Sequence, residues 1–261
     1  HRHYRRQRQM CIRDRAIIGE NATKSMTIGG GSSELKANYE ILPLEGIQNE
    51  FKNANILYSV GYTSKNETYE IKQKLKKDAI LIAEQADVVL FIGGLNKNLS
   101  QDCENADRKY YNLPYNQDEL IESISKINKN TAVILISGNA VDLPWRYSVK
   151  SILQSWYLGS ESGNALASIL SGKVNPSGKL PFSFPKKLSE NAAHFYGELS
   201  YPGNGETQYY KEDILVGYRW HDTKKIKPEF AFGHGLSYTS FQFSEIISDK
   251  KTYNLNDTIK T

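Results

Sequence analysis

The sequence predicts an α/β fold, a mostly parallel sheet sandwiched between helices, and three observations predict it. Short β-branched or aromatic runs alternate along the body with segments of helical period. The runs DVVLFIGG (87–94) and TAVILISG (131–138) are apolar almost throughout, the pattern of strands covered on both faces. Each strand-like run closes on Gly or on a polar loop. Alternation of this kind places helices on both sides of one sheet.

Five strands are expected in order: RAIIGE (15–20), ANILYSVG (54–61), DVVLFIGG (87–94), TAVILISG (131–138) and KSILQSWY (150–157). Four helices fall between or after them. LPLEGIQNEF (42–51) is short. NETYEIKQKLKKDAILIAEQA (66–86) repeats Ile71, Leu75, Ala79, Ile82 and Ala86 at helical spacing, and NQDELIESISKINK (116–129) repeats Leu120, Ile121, Ile124 and Ile127. SESGNALASILSG (160–172) opens on a Ser/Glu start signal and stops at Gly172. Beyond residue 173 the alternation ends. YKEDILVGYRWHD (210–222) reads as a strand entry and PEFAFGHGLSYTSF (228–241) as a closing turn and strand. From Gln242 onward the chain reads as the first strands of an all-β module that is cut off.

In a parallel sheet the functional loops gather at the carboxyl ends of the strands. The segment LNKNLSQDCENADRKYYNLP (95–114) is therefore expected to carry chemistry. It separates a buried strand from a helix by about twenty residues, where a few would suffice, and it holds Asp102, Glu104, Asp107 and Arg108. A carboxyl group that must keep a proton near neutral pH needs desolvation or a nearby negative charge, and a backbone or basic group to fix it. A loop dense in acids with one Arg can provide both; a solvated surface loop with a structural Asp–Arg pair has the same composition.

The rest of the chain excludes more than it offers. TIGGGSSE (27–34) could form an anion-binding nest, yet neither a P-loop nor a G-x-G-x-x-G pattern is present, and a close-approach turn at an interface or sugar pocket fits the glycines better. His194, His221 and His234 lack metal-ligand spacing, so no metal or cofactor is expected. Ser137 and Ser155 lie outside any nucleophile-elbow pattern. Trp145, Trp156 and Trp220 are candidate sugar-stacking platforms, with Trp156 assigned to core packing because it lies in a strand run. The first fifteen residues, HRHYRRQRQMCIRDR, have no period and no signal-peptide core; MCIRDR resembles a translated sequencing-adapter end, and the segment is set aside as a non-native leader. It carries six Arg and one Asp, and without it the formal charge falls from +4 to −1, so neither nucleic acid nor membrane is an expected partner. Cys103 is then the one cysteine, with no His pattern to support a nucleophilic role.

In order along roughly residues 15–241, the motifs GGGSSE, ADVVLFIGGLN, ENADR, NLPYNQDELI, VILISGNAVDLPW, ILQSWYLGSESGNALASILSGKVNPSGKLPFSFPK, YKEDILVGYRWHD and FAFGHGLSYTSF resemble the carboxyl-terminal α/β sandwich of glycoside hydrolase family 3, the β-glucosidase family. The resemblance implies retaining hydrolysis of β-linked glucosides or oligosaccharides without a cofactor. It implies an Asp nucleophile on a separate barrel domain, absent from this chain, and a Glu from the sandwich as general acid/base. That Glu lies in a Glu-Gly-x-Asp-Arg loop, whose positions here are Glu104 to Arg108, with Asn105 in place of Gly and a different turn expected for it. Glu104 is then the acid/base and Asp102 its alternative if the register slips. Asp107 and Arg108 are expected to pin the arm as an ion pair, and Tyr110 and Tyr111 to pack it against the barrel. Gly30, Gly31 and Ser32 are expected to meet substrate or the other domain. The resemblance further implies that residues 242–261 begin a truncated fibronectin type III-like module, that the chain is a fragment inactive alone, and that the enzyme is periplasmic or secreted. A β-xylosidase or other exo-glycosidase of the family, and a non-catalytic sugar-binding module, are the competing readings.

Overall fold

The computed structural model describes residues 14–259. Five parallel strands form one sheet in the order β2-β1-β3-β4-β5. They are β1 (Arg15–Ile18), β2 (Ile56–Ser59), β3 (Val88–Gly94), β4 (Thr131–Ile136) and β5 (Ser151–Gln154). Strand β3 is longest and sits at the centre, which is why its sequence is the most continuously apolar. Alternate residues serve opposite faces: Val89, Phe91, Val133 and Leu135 enter one core, Leu90, Ile92, Ile134 and Ile136 the other.

The first core is closed by α2 (Tyr69–Gln85) and α3 (Gln117–Ile127), through Ala79, Ala83, Leu120, Ile121 and Ile124. The second is closed by α1 (Pro43–Glu50) and α4 (Ser162–Leu170), through Ile47, Leu166 and Ala167. Thr68 caps α2 by accepting from the Ile71 amide, and Pro43 starts α1 where its missing N–H costs nothing. Helices α1 and α4 meet backbone to backbone at two glycines. A Cβ on Gly46 would lie 2.1 Å from the Gly163 carbonyl carbon, and one on Gly163 would lie 2.2 Å from the Leu42 oxygen. The result is the α/β/α sandwich, with each strand shortened by one to four residues relative to its sequence run.

Three expectations need correction. Arg15, inside the leader set aside above, opens β1; it is buried, pairs with Ile56 and Val88, and its guanidinium lies over the Phe51 ring. The strand entry at 210–222 is instead a short helix, α6 (Tyr218–Lys224), which follows the four-residue α5 (Ala192–Phe195). Its aromatic composition mimics a strand, but Gly217 turns the chain at φ 63° and Trp220 is driven inward between the Phe195 and Tyr196 rings. Residues 228–241 form a turn without a named strand: they hold one isolated antiparallel bridge, Phe184 to Phe230, and further backbone bonds join Leu180 to Gly233 and His234. Residues 242–259 contain no strand, and Phe243, Ile246, Ile247 and Leu255 stand exposed.

Asp118, in the first turn of α3, ties two loops down. Its carboxylate accepts from the Trp145 indole at 2.7 Å and from the Leu113 amide at 3.2 Å. Burial pushes its pKa up to about 6, against the lowering effect of those two bonds. Because the folded value exceeds the ordinary 3.8, the folded chain holds this proton more tightly, and the stabilisation is complete below about pH 4 and lost as pH rises through 6. Asp118→Asn is expected to flatten that part of the stability profile in urea titrations between pH 4 and 7, at a constant cost of about 1 kcal/mol for the lost Leu113 bond. Gly163→Ala is expected to lower the unfolding free energy by about 1–3 kcal/mol in the same assay, since the added methyl meets backbone atoms that cannot step aside.

Candidate active site

The strand order reverses at β1. The chain leaves β1 for β2 on one side and finds β3 on the other, so the connections after these two neighbouring strands run to opposite faces of the sheet, the place where ligand sites of parallel sheets are expected. The loop after β1 carries Gly29–Gly30–Gly31, all left-handed at φ 86°, 84° and 82°. The loop after β3 is the long charged one. Its root is held hard: Gly94 packs so closely that a Cβ would lie 2.3 Å from the Ile136 oxygen, and the buried Gln117 side chain both accepts from the Gly94 amide and donates to its carbonyl, each at 2.8 Å. Asn21 adds a bond to the Leu95 carbonyl at 2.9 Å.

Asp102 is the loop's anchor. Its carboxylate accepts from the Gly138 amide at 2.7 Å, the Asn139 side-chain amide at 2.9 Å and the Tyr157 hydroxyl at 2.7 Å. Those donors come from the loop after β4 and the segment after β5, so three strand ends converge on one carboxylate. Burial and the adjoining Asp102 charge push the Tyr157 phenol far above its ordinary range, so it stays a donor. Asp102 is fully engaged in holding the fold.

Two residues on, Glu104 is exposed. Its Oε2 accepts from the Ser32 amide at 2.6 Å, and its own amide donates to the Gly30 carbonyl at 3.1 Å. Contact with the Ser32 hydroxyl and then the Ser32 amide holds its carboxyl below the ordinary range. Gly31 must be glycine here, because a Cβ would lie 2.6 Å from the Glu104 Cβ in addition to the positive φ. Asn105 takes φ 65°, the left-handed region that Gly favours and Asn tolerates.

The expected Asp107–Arg108 ion pair does not form. The two side chains leave the extended chain in opposite directions. Asp107 accepts from the Tyr201 hydroxyl, whereas the Arg108 Nη2 donates to the Ala140 carbonyl at 2.7 Å. Burial works against the Arg108 charge and the Asp102 charge supports it, so Asp102 is its electrostatic partner. Of the two tyrosines, Tyr111 turns into its own domain, donating to the Pro185 carbonyl at 2.8 Å, and Tyr110 alone is exposed. Trp145 and Trp220 are buried and unavailable to a sugar; Trp156 lies beyond β5 at φ 55°, edge-on to Phe182. Sequence reasoning passed over Lys97, Asn139 and Tyr157. Nothing in LNKN or QSWY marks them, because each matters through a partner on a distant loop.

Residues 12–238 match the sequence profile of the glycosyl hydrolase family 3 C-terminal domain. The chain belongs to glycosyl hydrolase family 3. It is 51% identical over 251 residues to the β-glucosidase BoGH3A of Bacteroides ovatus, covering 93% of this chain and 34% of that protein. Identity is 40% to the thermostable β-glucosidase B of Acetivibrio thermocellus, with 94% of this chain and 31% of that protein covered. The fold matches the family 3 β-glucosidase of Bifidobacterium adolescentis with a TM-score of 0.81 at 31% identity, over 93% of this chain and 34% of that one. β-Glucosidase 3B of Thermotoga neapolitana, solved with glucose, matches at 0.72 and 26%, over 92% of this chain and 36% of that one. The chain thus spans about a third of the length of these family 3 relatives.

The Asp102 anchor can be tested directly. Asp102→Ala leaves three donors without their acceptor and is expected to cost about 2–4 kcal/mol of stability. Faster hydrogen exchange at Gly138 and across residues 98–106, with little change in α1 or α2, is the accompanying signature.

Proposed function

We propose that this chain is the sandwich domain of a retaining β-glucosidase and that Glu104 is the general acid/base, working opposite an Asp nucleophile on another domain. The observation that carries the reading is the placement of Glu104. It is an exposed carboxylate at the tip of an anchored loop, at the switch point of a parallel sheet, where a ligand crevice is expected. Retaining hydrolysis places two carboxyl groups about 5–5.5 Å apart across the glycosidic bond. A donor supplied to a site on a neighbouring domain has to be carried clear of its own sheet, and a loop of this length does that. Exposed apolar side chains on the same two loops, Ile28, Leu35, Leu99 and Tyr110, favour a covering partner. The relatives named above are all β-glucosidases, which favours a β-glucoside as substrate over a xyloside.

In this reading the domain alone is poised wrongly for acid catalysis. Ser32 keeps Glu104 ionised, whereas donation to a leaving oxygen needs a proton near neutral pH. Enclosure by sugar and by the partner domain removes water, and the nucleophile's negative charge lies nearby; both raise the pKa of Glu104. The second step then needs the carboxylate as base, the form Ser32 stabilises.

The test is a chimera in which residues 12–238 replace the matching segment of the Bacteroides ovatus relative, assayed beside the isolated chain. The isolated chain is expected to show negligible turnover of an aryl β-glucoside, and the chimera to be active. Glu104→Gln in the chimera should lower kcat/KM about 10²–10⁴-fold on substrates with poor leaving groups, and far less on activated aryl glucosides. Near-normal hydrolysis of poor substrates by that variant refutes the assignment.

A further inference from the structure

Lys97 is the third residue of the charged loop and makes no contribution to the reading above. Its stem lies beneath the glycine turn: a Cβ on Gly29 would lie 3.3 Å from its Cβ, and one on Gly30 would lie 2.7 Å from its Cδ. Its ammonium donates to the Ser33 hydroxyl at 3.0 Å and sits 4.8 Å from the centroid of the Tyr157 ring. The Ser33 hydroxyl donates to the Gly30 carbonyl, which also receives the Glu104 amide. Tyr157 donates to Asp102. The contacts therefore close a circuit from Asp102 through Tyr157, Lys97, Ser33 and Gly30 to Glu104, two residues from where it began. Every other link is a backbone group, a tyrosine ring or a hydroxyl; Lys97 is the link between Tyr157, held by Asp102, and Ser33 of the glycine turn.

We propose that Lys97 is a positioning residue that, through Ser33, fixes the glycine turn so that the Ser32 amide meets the Glu104 carboxylate. The inference rests on the proposed role of Glu104 for its kinetic consequence and on geometry alone for its structural one. Three left-handed glycines in a row have little intrinsic preference for one shape. An ammonium held by a ring face and a hydroxyl supplies what the turn lacks. The other charged groups on these two segments are Glu20 and Lys24, which bond Ser64, Glu40, which accepts from Ser25, Met26 and Thr27, Glu34, whose Oε2 accepts from the Gly29 amide, the exposed Lys36 and Lys109, and Asp102, Asp107 and Arg108, whose partners are given above. None of them spans the two loops beneath the turn.

The experiment follows the Glu104 carboxyl carbon by NMR through an acid titration of the full chain, for the native protein and for Lys97→Met, Lys97→Arg and Ser33→Ala. If Lys97 positions the turn, Lys97→Met and Ser33→Ala both move the Glu104 midpoint up toward the ordinary carboxylate range, and Lys97→Arg keeps it near the native value. In the chimera, Lys97→Met and Ser33→Ala then lower kcat about tenfold, with KM little changed and the alkaline limb of the rate profile shifted in the same direction. A shift in Lys97→Met without one in Ser33→Ala would mean a direct charge effect and would overturn the proposal. So would native midpoints in both. Glu104→Gln run alongside separates the two ideas: if that variant stays active on poor substrates the acid/base assignment fails, while the NMR midpoints still decide the role of Lys97.

Discussion

A carboxylate that accepts from three donors on two other segments of the chain is a strong constraint. Asp102 draws the Gly138 amide, the Asn139 side chain and the Tyr157 hydroxyl to one point, with the Arg108 charge close by. Ordering each loop residue costs about 1–2 kcal/mol of backbone entropy, and twenty such residues need fixed points along their length. Asp102 divides the loop after β3 near its middle. Glu104, two residues farther, can lie no more than about 7 Å of chain from that fixed point. The position of Glu104 is thus set by a second acid nearby in sequence, and the glycine turn and Ser32 refine it.

The same arrangement explains why two acids so near each other in sequence behave differently. Asp102 is surrounded by donors supplied by its own domain. Glu104 has one neighbour in reach, the Ser32 residue, and otherwise faces water. A carboxylate with a single removable partner can change state when its surroundings change. Local geometry therefore leaves Glu104, rather than Asp102, exposed to a partner outside its own domain, independently of any family pattern.

Much of this was legible in the sequence where local pattern and burial agree. The central strands, with Val89 to Ile92 and Val133 to Ile136 filling both cores, were marked by continuous apolar runs, and α2 and α3 by their stripes. The parallel sheet followed from alternation, and the expectation that the loop after β3 is special followed from its length. What failed depended on long-range partners. The Asp107–Arg108 pair looked inevitable from adjacency, yet Tyr201 and Ala140, remote in sequence, claim one residue each. The aromatic run at 210–222 looked like a strand, but a pocket formed by Phe195 and Tyr196 draws Trp220 into a helix. Lys97 and Tyr157 had no signature because a cation over a ring is visible only once the loops meet.

Asn105 shows how a departure from a motif can be absorbed. Glycine at that position offers free access to positive φ, and most side chains lose about 1–2 kcal/mol there. Asn is among the few residues that enter the left-handed region at small cost, since its short polar side chain can bond locally. The chain takes φ 65° at Asn105, a backbone conformation that Gly and Asn can share. At Gly31 no such exchange is open. There the Glu104 side chain occupies the space a Cβ would need, so steric exclusion acts together with the dihedral angle. Of the two left-handed positions that shape the site, the one facing solvent can vary and the one facing the carboxylate cannot.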